Sequence, residues 1–458
     1  MYAAKVFPIN ETTDFRMVPA VREAFLTKSF DIFQRMHDEI VWFPTDPDTF
    51  LKIPEDQHMV YWTENHLAGI LSTEYLVAQQ LGKKLKHKRL EIFLNSRVTY
   101  GSSESFSGVY QPYTMAALLN IVDFCNDPAL VGLAQKVCDT IVLQYASVIH
   151  PITGSCGTAA SRHYSYMRTQ TTNLKIAPLC DVLVGRASNL STYPTSFTLA
   201  YALQTTSYKI PQAAFDKIAT RRRPGVHEEV IEATKKSISY KEPVWILWTY
   251  GEYAQATRMF DVIDFLYESG VSNHHHFKQY ASVLNHRFVR FLAYLLIGIM
   301  FCVYWIAVKL FLVSTYLTGM KMHVITMTSP KSPSCCIVTS LSFRGERRIA
   351  AQQLPLMINI DDKTFYAQFG QPQSGVKKEM SSMAILPTSD VSYKNRIVTV
   401  RTSFRTFNPM FWMKSRGNLA DIGGFEDSQT ESVVGDFKVR LTSKTTRNMT
   451  LEVTIADY

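Results

Sequence analysis

A long uncharged apolar run in the second half of the chain constrains its fold more than any other feature. Residues 291–308 (FLAYLLIGIMFCVYWIAV) contain no charged side chain, and the run resumes after Lys309 as far as residue 317. A helix needs about 20 apolar residues to cross a bilayer. The run therefore predicts a membrane-associated protein that contacts the membrane through residues 291–317. The alternative is a helix that is buried on all sides inside the protein.

The sequence before this run has the spacing of packed helices. Apolar side chains recur every three or four residues between short polar turns, which predicts amphipathic helices. These helices cover residues 18–40, 65–81, 90–98, 113–124 and 129–148, and similar helix pairs continue to about Gly270. Repeated antiparallel helix pairs are typical of a bundle, a solenoid or a closed toroid.

The sequence after the run changes to short segments rich in β-branched and aromatic residues. The predicted strands cover residues 323–328, 337–343, 356–360, 364–369, 397–402, 437–442 and 451–455. Apolar and polar residues alternate in the last two, as they do in half-buried antiparallel strands. This pattern favours a β-sandwich.

Together these patterns predict an α+β protein of several domains. A helical toroid-like domain or helical bundle occupies residues 1–285, and an apolar membrane-associating segment follows at residues 286–320. An antiparallel β-sandwich domain, complete or incomplete, occupies residues 321–458.

The basic balance of the chain favours an anionic partner. The formal net charge is +9 over 458 residues, which attracts acidic polysaccharide, acidic lipid or nucleic acid. The charge is dispersed, and no nucleic-acid motif of fixed spacing occurs, so nucleic acid is not an expected partner. The one tight basic run, Arg221-Arg222-Arg223, is predicted to be a solvated loop between helices.

Cysteine and histidine usage gives no expectation of a metal or cofactor. The seven cysteines have no regular spacing and no CxxC pair, which argues against a disulfide scaffold and a structural zinc site. Three consecutive histidines at residues 274–276 would point in different directions. They are predicted to lie in a solvent-exposed loop.

Two polar clusters in the helical part are candidate binding elements. Trp62-Thr63-Glu64-Asn65-His66 begins a predicted helix, where capping and the helix dipole explain the same residues without any ligand. Residues 100–113 form a loop rich in hydroxyl groups that carries Glu104 and Tyr110. Such a loop suits a hydroxylated ligand, because tyrosine offers both a stacking face and a donor. A packed connection between helices is the alternative.

A third cluster, Arg162-His163-Tyr164-Ser165-Tyr166, has the residue types needed for β-elimination from a uronic acid. Arginine or asparagine can neutralise the sugar carboxylate, and histidine or tyrosine can remove the C5 proton. The same residues also make ordinary polar networks.

Taken in order, these motifs resemble those of an uncharacterised family related to heparinase-like polysaccharide lyases. The matching stretches are residues 62–66 with 74–76, then 100–124 and 157–164, and more weakly 248–253 and 354–369. The resemblance implies an (α/α) toroid followed by an antiparallel β-sandwich. One departure is Ala160, which stands where the family pattern has a histidine two residues before the arginine.

The leading hypothesis is a carbohydrate-active protein of the polysaccharide-lyase type that acts on an acidic polysaccharide. Arg162 and Asn65 would neutralise the substrate carboxylate, and His163 or Tyr164 would act as base with Tyr110 nearby. The remaining predicted substrate contacts are Glu64, His66, Glu104 and Tyr166. One alternative is a glycoside hydrolase that uses Glu64 and Glu104 as acid and base. Another is a membrane-associated protein without catalysis, either structural or carbohydrate-binding.

Overall fold

The computed structural model describes sixteen stretches of the chain. They are residues 6–7, 13–40, 64–85, 87–102, 107–156, 175–234, 320–328, 335–343, 356–360, 363–368, 389–394, 397–403, 410–415, 418–424, 429–444 and 448–455. The apolar run at 291–308 and the histidines at 274–276 lie outside these stretches. Among the residues that are described, no helix combines the length and the apolar character needed to cross a membrane.

The described N-terminal part is helical as far as Arg222. The α-helices are α1 (Thr13–Thr27), α2 (Asp31–Glu39), α3 (Glu64–Gln80), α4 (His87–Tyr100), α5 (Gln111–Phe124), α6 (Pro128–Val148), α7 (Ala177–Leu183), α8 (Thr198–Thr205) and α9 (Gln212–Arg222). A 3₁₀ helix, Ala187–Thr192, lies between α7 and α8. The four helices predicted between residues 65 and 148 are confirmed, with ends that differ by a few residues.

The single helix predicted at residues 18–40 is wrong, because α1 and α2 are separate. Lys28 has a φ of 55° and breaks the helical conformation. The Ser29 amide then donates to the Ala24 carbonyl over 3.0 Å, which is the closing bond of a Schellman turn. This backbone turn ends α1 without a glycine, so the hydrophobic spacing alone did not reveal it.

Helices α1, α3 and α5 run in the same direction. Phe15, near the start of α1, stacks on His66 near the start of α3 and on Tyr113 near the start of α5. At the other end, Gln79 Nε2 on α3 donates to the Phe124 carbonyl of α5 over 2.9 Å. The N-terminal ends of three packed helices therefore meet on one side of the molecule.

A buried arginine on α1 joins this helix to the C-terminal parts of α5 and α8. Arg22 on α1 donates to Asn120 and Asp123 on α5 and to Thr205 at the end of α8. Asn120 in turn donates to the Val18 carbonyl on α1 over 2.9 Å. Arg22 therefore connects α1 and α5 to the C-terminal end of α8.

The later residues form two antiparallel sheets. The strands are β1 (Gly225–Thr234), β2 (Met320–Thr328), β3 (Cys335–Phe343), β4 (Leu356–Ile360), β5 (Lys363–Gln368), β6 (Ser389–Lys394), β7 (Ile397–Ser403), β8 (Met410–Ser415), β9 (Asn418–Gly424), β10 (Glu431–Val434), β11 (Phe437–Lys444) and β12 (Asn448–Ile455). The order is β1-β2-β3-β4-β5-β8-β9 in the seven-stranded sheet and β10-β11-β12-β7-β6 in the five-stranded sheet. Phe365 on β5 packs against Phe437 on β11 with ring centroids 5.0 Å apart, which brings the two sheets into contact.

The sequence predicted helix pairs as far as about Gly270, but residues Gly225–Thr234 form strand β1. Gly225 pairs with Thr328 and Thr234 pairs with Met320, so β1 is the edge strand beside β2. It precedes the apolar run in sequence but belongs to the sheet formed by later residues. The chain is thus a mixed α+β protein with antiparallel sheets, and its helical core extends to Val324 on β2.

The basic run at residues 221–223 is not a loop between two helices, as the sequence predicted. Arg221 is buried in the last turn of α9, while Arg222 and Arg223 are exposed. The Arg221 guanidinium donates to the Ala146 and Ile149 carbonyls at the end of α6. It also donates to Thr326 on β2 over 2.8 Å. Arg221 therefore connects two helices to the seven-stranded sheet.

Candidate functional site

The candidate site lies where the N-terminal ends of α1, α3 and α5 meet. Helix α3 begins with Glu64, Asn65 and His66, which belong to the first predicted cluster. Helix α5 follows Tyr110, which belongs to the second. The fold therefore brings together His66 of the first motif and Tyr113 of the second, which are more than forty positions apart in the sequence. The N-terminal ends of helices carry partial positive charge, which favours an anionic ligand.

A histidine–aspartate pair forms the chemical centre of this site. His66 Nδ1 lies 2.7 Å from Asp14 Oδ2, with the Asp14 side chain 1% exposed and the His66 side chain 17% exposed. An ionised carboxylate can only accept, so Nδ1 carries the proton of this bond. In the neutral ring Nε2 is then the acceptor nitrogen. The pair thus orients an imidazole that can accept a proton or a hydrogen bond.

Helix packing allows this pair to form. Gly69 lies one turn after His66, where α3 crosses close to α1. A Cβ added to Gly69 would lie 3.4 Å from Val18 Cγ2 and 3.7 Å from Asp14 Oδ2. The other Asp14 oxygen, Oδ1, is buried and has no hydrogen-bond partner among the described residues. The Asp14 carboxylate is therefore held by packing as well as by His66.

Three aromatic rings stack beside the pair. Phe15 lies between His66, with centroids 4.5 Å apart, and Tyr113, with centroids 4.3 Å apart. The interplanar angles are 27° and 25°. All three side chains are half-buried. A partly exposed aromatic stack of this kind can pack against the apolar face of a sugar ring.

Glu64 and Asn65 at the start of α3 are both buried, and their role as substrate contacts stays a prediction. Glu64 Oε2 lies 2.5 Å from Arg97 Nη1 on α4. Its other oxygen accepts a hydrogen bond from the Ser102 hydroxyl. Breaking a buried pair of this kind is costly. Glu64 therefore ties the end of α4 to the start of α3 and supports the position of His66.

Tyr110 lies at the same end of the helices as the aromatic stack. Its amide donates to Ser107 Oγ over 3.0 Å, and its carbonyl accepts from the Tyr113 amide over 2.9 Å. These bonds form the first turn before α5. Tyr110 is half-buried, so the predicted position next to a ligand is compatible with its placement.

The remaining predicted site residues lie outside the described stretches of the chain. They are Glu104, Arg162, His163, Tyr164 and Tyr166, together with Ala160. Their assigned roles stay predictions. Within the described stretches, no three histidine, cysteine, aspartate or glutamate side chains form a group suited to a metal ion.

The sequence reasoning missed Asp14 and Phe15. Asp14 has a local explanation, since an acidic residue in the first turn of a helix is favourable. Its partner His66 is 52 residues away. No spacing rule connects residues at this distance, so only the packing of α1 on α3 identifies the pair.

Comparison with known proteins found no matching family model, no matching curated protein and no matching solved structure.

Proposed function

We propose that this chain is a carbohydrate-active protein that binds an acidic polysaccharide where α1, α3 and α5 begin. The observation that carries the proposal is the Asp14–His66 pair beside the stacked rings of Phe15 and Tyr113. The aromatic stack suits a sugar face, and the converging helix ends suit an anionic group. The net charge of +9 agrees with an anionic ligand.

The architecture we propose is an (α/α) toroid-like domain followed by a β-sandwich domain. Helices α1, α3 and α5 share one direction, as the inner helices of such a toroid do. Contact between Phe365 and Phe437 supports two sheets packed face to face. The motif resemblance to heparinase-like lyases points to the same architecture.

The proposed reaction is β-elimination from a uronic acid. A base removes the C5 proton, the electron pair forms the C4–C5 double bond, and the C4 oxygen leaves with a proton from an acid. His163 or Tyr164 is the proposed base, Tyr110 the nearby hydroxyl donor and Arg162 the group that neutralises the carboxylate. His66 is a further candidate for proton transfer, because Asp14 orients its ring. Asn65 is buried, which makes Arg162 the better candidate for direct contact with the carboxylate.

Glycoside hydrolysis receives less support from this arrangement. It requires two carboxyl groups that face the glycosidic bond. Glu64 is instead enclosed and bound to Arg97 and Ser102. A glycosidase would therefore need a different acid–base pair.

The test is the ultraviolet absorbance of the unsaturated product during incubation with a panel of uronic-acid polysaccharides. We expect a rise with at least one of them. His66→Gln and Asp14→Asn should then slow the reaction, with His66→Gln lowering kcat about 100-fold or more if His66 transfers a proton. His37→Gln is the matched control, since His37 contacts Asp38 on the surface of α2. No product with a folded chain would refute the lyase, and no retention on immobilised polysaccharide would refute binding.

Membrane association through residues 291–317 is a second proposal, carried by the uncharged run itself. Flotation of the full chain with vesicles of neutral and acidic phospholipid tests it. Leu296→Arg places a charge in the middle of the run, where it costs about 2.5–3.5 kcal/mol in a membrane. We expect this variant to float less than the unmodified chain. Equal recovery of both proteins in the lipid fraction would contradict the assignment.

A further inference from the structure

Two cysteines lie together in the core although 24 positions separate them in the sequence. Cys156 follows the turn after α6 and is 5% exposed, and Cys180 lies on α7 and is 2% exposed. Gly154, two residues before Cys156, packs against the backbone of Cys180, since a Cβ added to Gly154 would lie 3.5 Å from the Cys180 carbonyl oxygen. Interaction with Cys156, together with burial, raises the pKa of the Cys180 thiol. Both cysteines are thiols in this structure.

The segments that carry these cysteines are fixed against each other. The turn before Cys156 is closed by hydrogen bonds from His150 N to Ser155 O and from Gly154 N to His150 O, each 2.8 Å long. Arg186, just after α7, donates to the Thr153 carbonyl in this turn. The same guanidinium lies 2.8 Å from Asp181, the neighbour of Cys180. These bonds hold the turn before Cys156 against the end of α7, the helix that carries Cys180.

Close packing at Gly154 strengthens this arrangement. Gly154 has a φ of +69°, and a Cβ there would lie 2.6 Å from Arg186 Nη2 and 3.0 Å from Val184 Cγ2. Both the backbone conformation and the available space therefore favour glycine at this position. It lets the turn sit directly on the end of α7, two residues before Cys156.

We propose that Cys156 and Cys180 form a disulfide when the chain folds in the presence of a disulfide oxidant. The bond closes a loop that runs from residue 156 to residue 180. This loop contains Arg162, His163, Tyr164 and Tyr166. The inference is independent of the proposed polysaccharide activity.

The chemistry is ordinary thiol–disulfide exchange. One cysteine thiolate attacks a sulfur of oxidised glutathione, which forms a mixed disulfide and releases one reduced glutathione. The second cysteine attacks the protein sulfur of that mixed disulfide and releases the second reduced glutathione. Two electrons pass from the cysteine pair to glutathione, and the two thiol protons end on the released glutathione molecules.

Cys138 on α6 provides an internal control. It is as buried as the pair, with 0% exposure. Its acidic neighbours are Asp139 and Asp123. It should remain a thiol under conditions that oxidise the other two, so burial by itself does not account for the expected result.

The experiment equilibrates the full chain in glutathione buffers of graded oxidised fraction, in native buffer and in concentrated urea. Equilibrium is approached both from the reduced chain and from chain refolded out of urea, because buried thiols exchange slowly. Free thiols are trapped with N-ethylmaleimide and counted by mass spectrometry. Trypsin then cuts after Arg162 and Lys175 and chymotrypsin cuts after Tyr145, which places Cys138, Cys156 and Cys180 on three different peptides. A disulfide keeps the peptides of Cys156 and Cys180 together until they are reduced.

We expect the linked peptides to form in native buffer at an oxidised fraction of glutathione at least about tenfold lower than the fraction needed in urea. Cys138 should carry the maleimide throughout. In Cys156→Ser, Cys180 should remain free or bind glutathione. The proposal is overturned if both cysteines remain alkylated from either direction in the most oxidising buffer. Pairing with other cysteines at equal frequency would overturn it as well.

Discussion

Replacing Arg22 with methionine tests whether its buried ion pair holds α1, α5 and α8 together. The Arg22 side chain is 1% exposed and lies 2.5 Å from Asp123, whose side chain is 5% exposed. Desolvation lowers the pKa of Arg22, and the hydrogen bond and charge of Asp123 oppose that effect. Methionine has a similar length, so it removes the charge and hydrogen bonds but leaves much of the volume filled.

The expected cost follows from the groups that lose their partner. Removing one member of a buried ion pair typically costs about 3–5 kcal/mol. Asp123 also accepts from the Ser207 amide and hydroxyl over 2.8 and 2.6 Å, which compensates part of its charge. We therefore expect Arg22→Met to lower the free energy of unfolding by about 3 kcal/mol, at the lower end of that range.

Urea unfolding followed by far-ultraviolet circular dichroism measures this change. Arg35→Met is the matched control, because Arg35 makes a 2.7 Å pair with Glu39 on the exposed surface of α2. That pair is open to solvent, so its loss should leave the unfolding midpoint nearly unchanged. Adding Asp123→Asn to Arg22→Met should recover about 1 kcal/mol, since no unpaired charge then stays buried. Equal midpoints for Arg22→Met and Arg35→Met would refute the reasoning.

Three further predictions concern the helix–sheet joint, the turn before Cys156 and a buried tyrosine. Arg221→Lys should lower the free energy of unfolding by about 2 kcal/mol, since a lysine cannot reproduce the fork that reaches two carbonyls and Thr326; an unchanged urea midpoint would contradict this. Gly154→Ala should lower the free energy of unfolding by about 1–3 kcal/mol in the same assay, because the positive φ of Gly154 and its contact with Arg186 both disfavour a Cβ. Gly132→Ala is the control and should not destabilise the chain, because a Cβ at Gly132 in α6 meets open space. Burial, with the charges of Cys125 and Asp127 nearby, raises the pKa of Tyr75 to about 12. The folded chain therefore favours the protonated form of Tyr75, so the stability that this hydroxyl contributes is present below pH ~10 and is lost as the pH rises toward 12. Tyr75→Phe should remove this loss of stability when urea unfolding is repeated at increasing pH. The same pH dependence in both proteins would contradict the prediction.

Local sequence patterns predicted most of the helices and many of the strands, because those patterns depend on near neighbours. The start of α6 is an example. Asp127 accepts from the Ala129 and Leu130 amides, and Pro128 occupies the first helical position, as the turn sequence indicated. Alternation likewise identified β11 and β12, which pair with each other from Phe437 and Ile455 onward.

Strand β1 shows where local pattern reading fails. Its sequence, GVHEEVIEAT, carries acidic residues that are common in helices, and it follows directly after α9. Its pairing partner β2 lies almost a hundred residues later. The hydrogen bonds that make it a strand come from that distant segment, so tertiary context overrode a helical expectation.

The polar residues that interact with one another were found from the packing of distant elements and not from the sequence. Asp14 meets His66 across 52 positions, Arg22 meets Asp123 across 101, and Arg221 meets Thr326 across 105. Periodicity records which face of a helix or strand is apolar, but it does not record which other element covers that face. The partners of a buried charge depend on how whole elements pack, and this is why Arg221 was expected in solvent while the fold placed it in the core.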